Sequence, residues 1–188
     1  MKAYDSNHID IDLAGQNLSL FSSNSESWLL TEQRWLNNIN LKPKFTCKIS
    51  SAKNGVGQLN GSFQTPAGKH IIRAKIGQGA KLNSVFVGRR LTGETWDMKL
   101  HNCYPERDWI LTRILWLCGL ESGFNRFGNI DTMKRYIYIH GSPPIVSMGK
   151  IGSKGCIRMP GKNIIELFDL INIGTTVNLR HHYHFLQE

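Results

Sequence analysis

Short apolar–polar alternations broken by glycine turns limit this chain to a fold built mainly from strands. HIDIDL and LSLF alternate on either side of the turn-forming AGQN and read as an opening β-hairpin. FTCKIS, HIIRAKIG, NSVFVGRRL and RYIYIHG continue the pattern, and TTVNLRHHYHF supplies a last strand. Three stretches break it. SWLLTEQRWLNNINL can place Trp28, Leu29, Trp35, Leu36 and Ile39 on one helical face, ERDWILTRILWLCGL has the spacing of a half-buried helix stopped by Gly119, and KNIIELFDLINI reads as a helix closed by Gly174. The expectation is one α+β domain over residues 1–188, mainly β with a few helices.

Bulk properties narrow the function. The 188 residues suffice to bury a core without metal or disulfides. A net charge of +9 suits an anionic partner, yet Lys and Arg are scattered and no nucleic-acid-binding motif accompanies them. No stretch is long and apolar enough to span a membrane, because WILTRILWLCGL is short and carries Arg113. The opening MKAYDSNHIDIDLAG lacks the apolar run of a secretory signal, so the expectation is a cytoplasmic protein, or an envelope protein if export follows another route. Cys47, Cys103, Cys118 and Cys156 have no C-x-x-C spacing, which argues against a structural zinc site. The glycine-rich SAKNGVGQLNGSFQTPAGKH completes no phosphate-binding motif. His182 and His184 in HHYHF share a strand face without a third ligand, so neither metal nor cofactor is expected.

GSKGCIRM holds the chemistry. Cys156 lies between Lys154 and Arg158, cations that favour a thiolate or grip a substrate carboxylate. Gly155 allows a sharp turn that aims neighbouring amides at one oxygen. His140 ends an apolar strand, and Gly141 beside it permits close approach, so an imidazole can reach the thiol as a base.

YIYIHGSPP, followed by SKGCIRM with Cys156 sixteen residues after His140, resembles the signature of the L,D-transpeptidase catalytic domain family (YkuD-type). IDIDLAGQNLSLF, GSFQTPAGKHII and NIIELFDLINIGTTVNL extend the likeness from about residue 8 to 180, leaving the segment at about 25–44 as an insertion. The resemblance implies a sandwich-like β fold and peptidoglycan stem peptides or muropeptides as substrates. Cys156 would be the nucleophile and His140 the general base. Amides of Gly155 and Cys156 would form the oxyanion hole, Ser153 would brace the turn, and Arg158 would bind a carboxylate. Lys154 departs from the commoner histidine. The bond attacked would join the L-centre of the third stem residue to the D-alanine that follows it. Attack would leave a thioester, resolved by water (an L,D-carboxypeptidase, the favoured outcome) or by an amine (a transpeptidase). Two other readings are a non-catalytic peptidoglycan-binding module and a papain-like peptidase, whose CGSCW neighbourhood is absent. ESGFNRFGNIDT is a candidate lid in which Asn125 and Arg126 would touch stem carboxylates.

Overall fold

The computed structural model describes residues 7–22 and 42–181. The helix expected in SWLLTEQRWLNNINL, nearly all of the expected insertion, and His182 and His184 lie outside the described residues. The described strands form one branched sheet. β1 (Asn7–Asp12) and β2 (Asn17–Ser22) make the opening hairpin, and β3 (Phe45–Lys48) pairs with β2. β4 (Gly68–Ile76), β5 (Ser84–Val87), β6 (Arg90–Thr95), β7 (Ile110–Gly119), β8 (Tyr138–Ser142), β9 (Ile157–Pro160) and β10 (Thr176–Arg180) complete it. The order is β3-β2-β1-β10-β4-β7-β5-β6, and β8 leaves β7 to carry β9 at its outer side. Two pairings are parallel, β1 with β10 and β8 with β9; the rest are antiparallel. Helix α1 (Met98–Cys103) is capped by the Asp97 side chain, and α2 (Gly161–Leu170) follows β9 directly.

One expectation is corrected. WILTRILWLCGL is strand β7, not a helix. β7 is buried on both faces for most of its length, so apolar residues run continuously and the alternation that marks a half-exposed strand is lost. Its register shifts against β8 between Leu111 and Ile114, around Thr112 at φ +72°. This bulge bends the strand so that β4 and β5 pair with successive parts of it.

The main core lies on one face. Ile9, Ile11, Leu18, Leu20 and Ile72 join Leu115, Leu117, Ile139, Ile157 and Met159, and α2 covers them with Ile164, Leu167 and Phe168. Along β7, β8 and β9 the odd-numbered residues from 115 onward therefore face the core. The even-numbered Trp116, Tyr138, His140 and Arg158 point the other way. That second face carries the chemistry. No helix among the described residues is long and apolar enough to cross a membrane.

Candidate active site

Register puts Cys156 and His140 on one face of the sheet. β8 and β9 pair Ile139 with Ile157 and His140 with Arg158, so Cys156, one step before β9, stands opposite Tyr138 on the face that holds His140. The Tyr138 amide donates to Cys156 Sγ at 3.3 Å, and the thiol donates to the Tyr136 carbonyl at 3.4 Å. Tyr136 has φ +56°, a conformation that turns this carbonyl towards the sulfur. Cys156 is half-buried, whereas His140 is 1% exposed. His140 Nδ1–H donates to the Gly141 carbonyl at 2.8 Å, which leaves Nε2 as the basic nitrogen.

The cysteine turn is held from several sides. Gly155 adopts φ +127°, where an L side chain is strained. The Ser153 hydroxyl donates to the Cys156 carbonyl at 2.5 Å and accepts from the Gly155 amide at 3.2 Å. Gly155 therefore gives its N–H to the turn itself. The glycine-rich stretch, from which phosphate binding was excluded, forms the wall behind this turn. Ser50 exchanges both backbone hydrogen bonds with Arg158, and Ser51 accepts from the Ser153 amide. Thr65 Oγ1 donates to the Gly155 carbonyl and accepts from the Ala52 amide, both at 2.9 Å. Arg135 ties the same stretch down through the Gly57 and Gln64 carbonyls. Arg135 carried no signal in sequence and Thr65 only its place in GSFQTPAGKHII, because their partners are backbone atoms far along the chain.

Burial outweighs the flanking charge: Lys154 and Arg158 were expected to acidify the thiol or grip a carboxylate, and Arg158 does lower it, but burial pushes Cys156 up to about 12. The Tyr138 amide, Arg158 and Arg135 pull the other way, and Asp108 adds to the rise. Arg158 is an ion pair with Asp108 at 2.6 Å, so much of its charge is already answered. Lys154 is exposed and is not among the groups that shift the thiol. Burial also holds the His140 imidazole below the ordinary histidine range, opposed by the Gly141 carbonyl and by Asp108. Both shifts favour the uncharged forms, thiol and neutral imidazole.

A cleft lies beside Lys154 and Arg158, and neither Cys156 nor His140 lines it. Lys154, Arg158, Asp108, Arg107, Trp109 and Ile145 are among its lining residues, so Lys154 and Arg158 face a space that a substrate can enter. Three further site residues move to structural positions. A Cβ on Gly141 would meet the Leu111 carbonyl oxygen at 2.7 Å, so its bareness serves the contact between β7 and β8 and not a ligand. Asn125 is fully buried and spends its side chain on the Ala67 and Lys69 carbonyls, the Glu121 amide and the Glu121 carboxylate, which removes it from any substrate contact. Arg126 lies over the Phe127 ring, and the thiol its charge reaches is Cys118, not Cys156. Asp131 closes the loop's far side through the amides of Phe127 and Lys134. Among the described residues, no group of three or more His, Cys, Asp or Glu could hold a metal ion.

Comparison with known proteins agrees with this architecture. The family model of the L,D-transpeptidase catalytic domain (YkuD) matches residues 6–179. YkuD of Bacillus subtilis (strain 168) is 46% identical over 50 residues, which are 27% of this chain and 30% of that protein. Bd1075 of Bdellovibrio bacteriovorus superposes with a TM-score of 0.55 at 16% identity, over 97% of this chain and 50% of the other. An L,D-transpeptidase from Xylanimonas cellulosilytica gives 0.54 at 15% identity, over 96% and 63%. A cysteine-to-serine mutant of an Enterococcus faecium L,D-transpeptidase gives 0.51 at 17% identity, over 93% and 50%. The chain thus spans about half to two-thirds of the length of these solved structures. With a family match running through nearly every described strand, and a cysteine turn and histidine strand paired inside it, the chain belongs to the L,D-transpeptidase catalytic domain family.

Proposed function

We propose that this protein is a cysteine acyl-transfer enzyme acting on peptidoglycan stem peptides. Cys156 Sγ attacks the carbonyl carbon of the third stem residue while its proton passes to His140 Nε2. The carbon–nitrogen bond then breaks, the imidazolium returns the proton to the departing amine, and the terminal D-alanine leaves a thioester on Cys156. Water resolves the thioester in the reading we favour, giving L,D-carboxypeptidase action, because water needs no second binding site. An amine in its place gives a crosslink or an exchanged D-amino acid. The observation carrying this reading is the placement of Cys156 and His140 on one face of adjacent, in-register strands. The net charge of +9 suits a substrate rich in carboxylates.

The test is incubation with a disaccharide-free tetrapeptide, with and without a D-amino acid, followed by mass spectrometry. Release of D-alanine without added amine is the expected result. Product seen only with the amine moves the activity to transfer. No turnover in either case, with the protein folded, overturns the acyl-enzyme reading, as would wild-type rates in Cys156→Ala.

A further inference from the structure

Arg135 ties the glycine-rich wall to the loop before β8, and no carboxylate among the described residues pairs with it. Its Nη1 donates to the Gly57 carbonyl at 3.1 Å and its Nη2 to the Gln64 carbonyl at 2.6 Å. The ion pairs among the described residues are Arg107–Glu94, Arg158–Asp108 and Arg180–Asp10, and Arg135 is in none of them. Two carbonyl dipoles satisfy N–H groups but leave the net charge standing. Burial works against that charge, yet a guanidinium keeps its proton at any working pH.

Three contacts place this cation at the cysteine turn. The Gln64 carbonyl oxygen that it binds lies 3.5 Å from where a Cβ on Gly155 would stand, and Gly155 precedes Cys156. Thr65, next after Gln64, donates to the Gly155 carbonyl at 2.9 Å. On its other side Arg135 precedes Tyr136, whose carbonyl accepts from the Cys156 thiol at 3.4 Å. Contacts therefore run in a closed ring from Arg135 through Gln64, Thr65, Gly155, Cys156 and Tyr136 back to Arg135. Across that ring the guanidinium lowers the thiol, and a thiolate is felt in turn at Arg135.

The other groups around the sulfur do not supply such a charge. Arg158 is paired with Asp108, whose carboxylate raises the thiol, and Lys154 is exposed and not among the groups that shift it. Tyr138 offers its amide and Tyr136 its carbonyl, and burial holds His140 towards the neutral form. Of the two cations that lower Cys156, Arg135 is the one without an acidic partner among the described residues.

We infer that Arg135 is a positioning residue for the nucleophile, holding the Tyr136 carbonyl against the Gly155 turn and supplying the unpaired cation beside the sulfur. The inference rests on the acyl-transfer reading above. In that reaction the S–H bond breaks, its proton passes to His140, and the S–C bond forms, so negative charge builds on sulfur and then on the carbonyl oxygen. A cation already fixed beside the turn favours both without reorganising.

The test reads the rate at which iodoacetamide alkylates Cys156 at pH 8, by mass spectrometry of its peptide, with the exposed Cys103 as internal reference. Wild type, Arg135→Gln and Arg135→Lys are compared, each with its melting temperature. Glutamine keeps hydrogen-bond donors without charge, and lysine keeps charge without the two-pronged fork. Arg135→Gln should alkylate about three- to tenfold more slowly than wild type. Arg135→Lys should return to within about twofold of wild type even if it melts as low as Arg135→Gln. On tetrapeptide, kcat should follow the same order with KM unchanged, because Arg135 does not line the cleft. A wild-type alkylation rate in Arg135→Gln overturns the assignment. So does a slow rate in folded Arg135→Lys, which would leave Arg135 a purely structural tie. Should Arg135→Gln fail to fold, Arg135→Lys decides alone, and a lysine variant that is slow or unfolded ends the proposal. If wild type turns over no peptide, the acyl-transfer reading falls, and the alkylation rates still decide Arg135.

Discussion

Asp108 sits where a single charge acts on both Cys156 and His140. It raises both the Cys156 thiol and the His140 imidazole while holding Arg158 in an ion pair. Removing that charge should lower both, since a nearby anion disfavours the thiolate and favours the imidazolium. Asp108→Asn is therefore expected to react with iodoacetamide about three- to tenfold faster at pH 8, tenfold corresponding to one pKa unit. An unchanged rate would mean that Asp108 does not set the resting thiol. Sequence made Cys156 and His140 legible because each sits in a motif that local chemistry explains. Asp108 was invisible, being remote in sequence and inside a stretch that reads as helix. Arg158 was legible in direction but not in weight, and Lys154 only as a residue, because charge flanking a thiol matters only after burial and counter-ions are known.

At the level of elements, the turn before β9 fixes Cys156 more than any side chain on it does. Gly155 combines φ +127° with the Ile137 Cδ1 atom 3.3 Å from where a Cβ would stand. Gly155→Ala should cost roughly 1–3 kcal/mol of stability and lower turnover more than the stability loss explains, because the turn aims Cys156. Urea unfolding and steady-state rates measured together check this, and wild-type values in both would contradict it. The alternating strands β1, β2 and β4 were plain in the sequence because each presents one face to the core and one outward. β7 was not, since a strand buried on both faces and a half-buried helix write the same apolar run. The loop ESGFNRFGNIDT shows the opposite difficulty. Its polar residues read as a surface for ligands, and the structure turns Asn125, Glu121 and Asp131 onto the loop's own backbone and that of its neighbours.

The whole molecule carries a pH limit in its buried histidines. His70 is fully buried, donating from Nδ1 to the Gly68 carbonyl and accepting at Nε2 from Thr132, and burial lowers it to about 4. Its folded value lies below the unfolded one, so the unfolded chain takes the proton first. Stability is whole above about pH 6.5 and declines as pH falls towards 4, by about 3 kcal/mol from this residue. His8, lowered to about 4 by burial, adds in the same direction. Urea unfolding between pH 7 and 4 should show the decline, and His70→Gln should flatten it; an equal slope in both proteins would remove His70 as the cause. The sheet order has a consequence in time. β10 lies between β1 and β4, so among the described strands the opening hairpin pairs with β4's side of the sheet through residues 176–180. During synthesis at about 5–20 residues per second, that hairpin must wait roughly ten to thirty seconds with Ile9 and Ile11 uncovered, and a chaperone that shields nascent edges would find its window there.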